Sequence, residues 1–207
     1  ALLGLFYRFS YDFKKKYLIE FNGRYDGSSR FPEEHRWGFF PSVSAGWIVS
    51  KEDFFDGIND TFSLLKLRAS YGSLGNQNIS DYAYIPTLNK GINTGYAIDG
   101  STLGYIESPG LNPNEITWEE VKTLNLGVDV GFFNNSLTAG FDWFQRDTDG
   151  MLTAGATLPS VLGTSSPQEN AADLRTHGFE LSLGYNKTFQ VANSPFNSGI
   201  KSTTFCS

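Results

Sequence analysis

A single cysteine, Cys206, stands in 207 residues, so the chain holds no internal disulfide framework and no Cys-based zinc site. Histidine is nearly as scarce. His35 and His177 are far apart in the sequence, and neither adjoins a second metal ligand or a Ser-containing elbow. Basic charge is outnumbered: 16 Lys and Arg against 22 Asp and Glu give a net charge of -6 and a pI near 4.9. Nucleic acid, whose phosphates need a basic footprint, is therefore not an expected partner. No run of about 18 apolar residues is present, which excludes a membrane-spanning helix. The mean hydropathy of -0.28 agrees, but it leaves strands open. A membrane barrel alternates apolar and polar residues and averages near neutral, and a soluble β-sandwich has the same mean.

What the chain has in quantity is aromatic residues and glycine: 18 Phe, 10 Tyr, 4 Trp and 22 Gly. They fall in a period of two. Leu3, Leu5, Tyr7, Phe9 and Tyr11 alternate with Gly4, Phe6, Arg8, Ser10 and Asp12. Tyr17, Ile19, Phe21, Gly23 and Tyr25 then oppose Leu18, Glu20, Asn22, Arg24 and Asp26. Phe39, Pro41, Val43, Ala45, Trp47 and Val49 repeat the pattern, as do 65–71, 124–132, 137–144 and 179–185. Such alternation predicts strands with one apolar and one charged face. A strand of about 10 residues suffices to cross a tilted bilayer core.

Short connections at 13–16, 50–63 and 133–136 alternate with longer polar ones at 27–36, 73–117 and 150–175. Short turns at one end and long loops at the other is the plan of a transmembrane barrel. Ser50 with Asp53, Phe54, Phe55 and Ile58 predicts one short helical turn capped by serine. Within 73–117, short strands are expected near 82–88 and 96–106. The tail 188–207 loses the alternation and is expected to be divergent or unstructured. The opening ALLGLFYRFSYDF has neither a charged segment nor a cleavage site of a signal peptide. It reads as mid-strand, so the chain is expected to be a piece of something longer.

Catalytic and metal chemistry is not legible. Gln145–Gly150 places Asp147 and Asp149 two apart before a glycine, but Gln145 and Ala156 stand where a calcium loop needs an acid and a glutamate. The neighbours Glu33–Glu34 and Glu119–Glu120 would point to opposite faces of a strand. No enzyme activity and no cofactor are expected. Trp37, Phe39 and Phe40, beside Arg30 and Arg36, suit either a sugar ring or a membrane-interface belt.

Several strings carry a family likeness: RYDGSSRF at 24–31, RWGFFPSVSAGW at 36–47, LKLRASYGSLGNQNI ending at Ile79, NPNEITWE at 112–119, LNLGVDVGFFNNSLT at 124–138, DWFQRDTDGML at 142–152 and HGFELSLGYN at 177–186. In this order the chain, over residues 1–187, resembles the barrel domain of SusC/RagA-type TonB-dependent outer-membrane transporters. The resemblance implies an all-β fold: an antiparallel transmembrane β-barrel segment, about seven strands of a barrel of about 22. It implies an outer-membrane importer of glycan or peptide fragments, driven through TonB and capped by a SusD-like lipoprotein. The family's plug and TonB-contacting segment have no counterpart here.

On a barrel reading, Arg8, Asp12, Glu20, Arg24, Asp26, Lys66, Arg68, Asp129 and Asp142 face the lumen. Trp37, Tyr82, Tyr84, Tyr96 and Tyr105 are the candidates for ligand or partner contact in the outer loops. Two other readings stay open, a soluble carbohydrate-binding β-sandwich and a passive porin-like barrel.

Overall fold

The computed structural model describes residues 1–58, 61–81, 84–85, 90–98, 101–106, 116–155, 157–159, 161, 166–191 and 194–206. Its strands are β1 (Leu2–Phe13), β2 (Tyr17–Ser28), β3 (Trp37–Ile48), β4 (Phe62–Asn76), β5 (Lys90–Ile98), β6 (Ser101–Ile106), β7 (Glu119–Phe132), β8 (Leu137–Ala154), β9 (Gln168–Val191) and β10 (Ser194–Cys206). Eight of them form one antiparallel sheet in the order β1-β2-β3-β4-β7-β8-β9-β10. The remaining pair, β5 and β6, is a separate hairpin in the longest loop.

The sheet departs from the sequence reading in three places. It has eight strands rather than seven, because Ser194–Cys206 pairs along β9 instead of forming an unstructured tail. The segment hides its pairing: Ser202 and Thr204 sit opposite Leu183 and Leu181 on the apolar face, so backbone hydrogen bonds rather than side-chain pattern define the strand. Half of 150–175 is also strand, with β8 reaching Ala154 and β9 starting at Gln168. A left-handed Gly150 (φ 65°) and register shifts between Thr148 and Leu152 bend this extension. After β3, the expected serine-capped helical turn is instead two 3-10 turns, Val49–Lys51 and Asp53–Ile58, with Ser50 inside the first. Phe55 is buried there, its ring edge-on to Phe62 with the centroids 6.3 Å apart.

The short turns are where the sequence places them. Lys14 and Lys15 both take positive φ (54° each) in the three-residue connection that closes the β1–β2 hairpin, where the Lys16 amide donates to the Phe13 carbonyl at 3.0 Å. Asp12 accepts a hydrogen bond from the Lys15 amide at 2.6 Å. Phe133, Asn134 and Asn135 turn β7 into β8, also at positive φ.

Register carries the apolar face continuously across the sheet. Tyr11, Ile19, Ala45, Ala69, Leu126, Trp143 and Phe179 are successive partners. Aromatic pairs mark the two ends of this face on β2: Tyr17 stacks on Trp47 (6.2 Å, 11°) and Tyr25 on Trp37 (5.0 Å, 9°). Eight residues at about 3.4 Å each, tilted, span roughly the 25 Å apolar band of an outer-membrane barrel. On β9 the turn-end aromatic is Tyr185, four residues beyond Leu181, which is level with Tyr17 by register. Four residues over five strand spacings is a slope of roughly 30°, near the tilt of barrel strands.

One ladder is short. β3 pairs with β2 up to Trp37, and β4 with β7 up to Asn76, yet β3 and β4 pair only from Ile48–Lys66 to Ser42–Gly72. Pro41, which has no N–H to donate, stands where that ladder stops. A seam therefore opens in the sheet toward its long-loop end.

Below the sheet, Lys16 donates to Glu52 and Asp53 (3.1 Å each), and the Trp47 indole donates to Glu52 at 3.1 Å. The Trp47 hydrogen bond first, then those from Tyr17 and Lys16, hold the Glu52 carboxyl below its ordinary range. A depressed carboxyl stabilises the fold above its ordinary value of 4.5 and loses that contribution as pH falls through its folded value. In the full-length protein, acid titration should thus release Trp47, seen as a tryptophan emission change that the Glu52→Gln variant lacks.

The two faces also make a prediction. Ile19→Arg, Val43→Arg, Leu126→Arg or Leu181→Arg should cost about 2–4 kcal/mol near the bilayer midplane. Ser44→Arg or Asn125→Arg, on the opposite face, should cost far less. Folding of the full-length protein into lipid vesicles measures both, and equal tolerance on the two faces contradicts the membrane orientation.

Candidate functional site

The polar face carries a hollow. A concavity of about 480 Å³ is lined chiefly by its residues, among them Ser10, Asp12, Glu20, Ser44, Lys66 and Arg68. All nine charged residues singled out from the sequence share this face, because each falls on the same alternation and the register links them. Seven of them form three groups across the strands.

Arg68 on β4 joins two acids from β7 and β8. Its guanidinium donates to Asp129 at 2.8 and 3.0 Å and to Asp142 at 2.9 Å. Gly127, Arg68's register partner, makes the approach possible: a Cβ there would lie 2.4 Å from Asp142 Oδ1 and 2.8 Å from the guanidinium. Asp142 Oδ1 is buried without a protein partner. On β1 and β2, Arg8 donates to Asn22 (2.8 Å) and lies 3.7 Å from Glu20, which also accepts from Ser10 and Asn22. Nearer the loops, Arg24 pairs with Asp26 at 2.9 Å, and Asp26 is 93 % buried by its 7 % exposure. Such pairing lets charge sit side by side on a strand face without net repulsion.

Above this face, the three long loops rest on one apolar cluster. Phe31 comes from the first loop, Ile79 and Ile116 from the second, and Leu152 from the end of β8, around Phe40 and Trp118. Trp118 lies 4.9 Å from Phe31 and 5.5 Å from Phe40, and its indole donates to the Arg36 carbonyl at 3.2 Å. Polar ties reinforce the cluster. Arg30 donates to Asp81 (2.7 Å) and the Gln77 carbonyl (3.1 Å). Asn170 exchanges hydrogen bonds with the Thr117 backbone (3.1 Å each) and donates to the Gly150 carbonyl. The sequence reading missed these residues as a group. A tryptophan just ahead of a strand, with an indole N–H to satisfy, was the available signal for Trp118.

The loop candidates fare differently. Trp37 opens β3 on the apolar face, stacked on Tyr25, rather than at a loop edge above the polar face. Tyr84 lies in a turn, half-buried. Tyr96 and Tyr105 belong to the β5–β6 hairpin. Tyr82 lies outside the described residues. His35 sits in a 3-10 turn, and His177 is the register partner of Gln145 on the outward face. Among the described residues, no cluster of His, Cys, Asp and Glu could hold a metal ion.

A strand plan with apolar and charged faces, short turns and long loops is shared by many barrels, and comparison with known proteins decides among them. The family model for the TonB dependent receptor-like β-barrel matches residues 2–204. The chain belongs to the TonB-dependent receptor-like β-barrel family. It is similar to TonB-dependent receptor SusC of Bacteroides thetaiotaomicron, at 36% identity over 186 residues, which is 88% of this chain and 18% of that protein. A TonB-dependent receptor of Formosa agariphila is 35% identical over 199 residues, 95% of this chain and 19% of that protein. Among solved structures, the RagAB peptide importer in its open-open state superposes with a TM-score of 0.76 and 28% identity, covering 100% of this chain and 22% of that one. This chain thus spans about a fifth of the length of the relatives it matches. Proteins of this family are outer-membrane β-barrels, and the eight-stranded sheet is an open portion of such a barrel.

Arg68 provides the prediction for this face. Arg68→Leu leaves Asp129 and Asp142 adjacent and unpaired, and should destabilise the full-length barrel by about 1–3 kcal/mol. Replacing all three by Leu, Asn and Asn should recover much of the loss. A denaturant titration of the refolded protein checks both, and a silent Arg68→Leu contradicts the assignment.

Proposed function

We propose that this chain forms part of the wall of an outer-membrane importer that takes up glycan or peptide fragments with energy relayed by TonB. The observation that carries the reading is the separation of faces: an apolar face continuous from β1 to β9 and paired charges on the opposite one, on a chain that belongs to the TonB-dependent receptor-like family. On this reading Arg8, Asp12, Glu20, Arg24, Asp26, Lys66, Arg68, Asp129 and Asp142 line the lumen. Charge is tolerable there, where it meets water or the protein's own lumen-filling segment. The named relatives are a SusC receptor and a RagAB peptide importer, which favours transport over catalysis and active import over a passive pore. A SusD-like lipoprotein is the partner that such relatives bring to the outer face. The soluble sandwich has nothing in its favour, since the exposed belt of Phe9, Phe21, Tyr71 and Phe141 would face water.

Substrate or partner contact falls to the long loops, the parts that vary without disturbing strand pairing. The loop 73–117, with Tyr84, Tyr96, Tyr105 and Tyr82, carries more of it than any equal length of strand. The test restores the full-length protein and exchanges this loop for that of a relative with a different substrate. Uptake preference or lipoprotein capture should change while the barrel assembles normally. If both stay as they were, the loop has no such role.

A further inference from the structure

The seam between β3 and β4 is closed on one side only. Beyond Ser42–Gly72 the two strands are not paired. On the inward side Phe40 fills the gap, packed on Trp118 and lying against Gly75. On the outward side a groove of about 460 Å³ remains, within the size range of ligand sites. Val43 and Tyr71 wall it toward the turns and Phe39 toward the loops, with Pro41 and Ser73 low between them. Tyr7 lies over Gly23, which leaves no room there for a Cβ, and closes the end away from the seam. In an outer-membrane barrel this outward face meets lipid and not the lumen.

The groove is apolar except at one end. Ser73 is 7 % exposed, and its hydroxyl is buried with no hydrogen-bond partner among the described residues. A polar group buried in this way is costly unless something outside the protein meets it. Glu120 stands at the rim beside it. Lys122, the register partner of Ser73, lies 3.3 Å from Glu120 and 2.8 Å from Asp149. Two carboxylates around one ammonium leave this rim negative. Its depth follows from the slope already seen among the turn-end aromatics. Carried from Tyr25 at the loop end of β2, the same slope meets Ser73 on β4, Lys122 on β7, and Gln145 and His177 on β8 and β9. These are the first polar residues beyond Tyr71, Leu124, Trp143 and Phe179 of the apolar face. The groove therefore begins at headgroup level at Ser73. It descends across Pro41 into the apolar belt, ending at Tyr7 three strand spacings away, roughly 14 Å.

We infer that this groove binds an amide-linked acyl chain of the outer-leaflet glycolipid, lipid A. The chain enters at Ser73 and runs down toward Tyr7, its methylenes against Pro41, Val43 and Tyr71. The linkage between head and chain sits at the polar end. There the Ser73 hydroxyl donates to the acyl carbonyl, and the Glu120 carboxylate accepts from the amide N–H or from a hydroxyl on the chain. The negative rim makes donors the requirement. Glycerophospholipids join their chains through esters, which bring acceptors and no donor to Glu120. Lipid A joins some of its chains through amides and hydroxylates them, so it brings both.

The experiment uses the full-length protein in detergent and two fluorescently labelled probes, lipid A and a phosphatidic acid of equal chain length. Both are phosphorylated, so charge does not decide the result. Lipid A should bind at least about tenfold more tightly, the factor that two added hydrogen bonds supply. Ser73→Ala should weaken lipid A binding at least about threefold while the melting temperature of the lipid-free protein stays unchanged. Val43→Trp, which fills the groove, should reduce lipid A to the level of phosphatidic acid. Val130→Trp, on the same face but on β7 away from the groove, should leave the preference intact. Equal binding of the two probes by the natural protein overturns the inference and leaves an unselective lipid layer. So does an equal loss in Val43→Trp and Val130→Trp, or a Ser73→Ala variant that keeps its affinity for lipid A. If Val43→Trp does not fold, Ser73→Ala decides alone.

Discussion

Lipid offers a strand no hydrogen-bond partner, so every backbone N–H and C=O within the bilayer must be satisfied by a neighbouring strand. The other features of this chain follow from that requirement. It fixes the register, and the register decides which residues share a face, because a slip of one residue would turn Ile19, Val43 and Leu126 inward and Glu20, Ser44 and Asn125 into lipid. It also explains why a segment as poorly patterned as Ser194–Cys206 is a strand: β9 presents an edge, and the pairing satisfies it.

With the register set, charge on the hollow face becomes a local problem solved by local pairing. Arg68, Asp129 and Asp142 come from three different strands and meet because the ladders bring them level, while Gly127 leaves the space. The apolar cluster under the loops solves a different problem. It lies beyond the bilayer, where alternation no longer applies, and it fastens three loops at their base with Phe31, Ile79, Ile116 and Leu152. What varies can then vary above a fixed platform.

How legible each part was depended on whether period two encoded it. Tyr17–Tyr25 and Phe39–Trp47 announced their strands and faces because lipid on one side and polar groups on the other force alternation. All nine charged positions fell on one face for the same reason. The outer part of β8 and the start of β9 were not legible, since no lipid constrains their side chains, and β10 was not because it sets Ser202 and Thr204 on the apolar face. The loop cluster was invisible as a set. Phe31, Ile116 and Trp118 are single apolar residues in polar stretches, and only the fold brings them together. Trp37 suited an interfacial belt more readily than a loop contact, and it stacks on Tyr25 on the apolar face.

The seam at Pro41 has a mechanical meaning. Below Ser42 and Gly72 the wall is laced on both sides of β3, and above them β3 is laced only to β2. Side chains take over there: Phe40 packs on Trp118 and lies against Gly75 of β4, and the Trp118 indole donates to the Arg36 carbonyl. The half of β3 nearer the turns is thus joined to β4 through its backbone, and the half nearer the loops through its side chains.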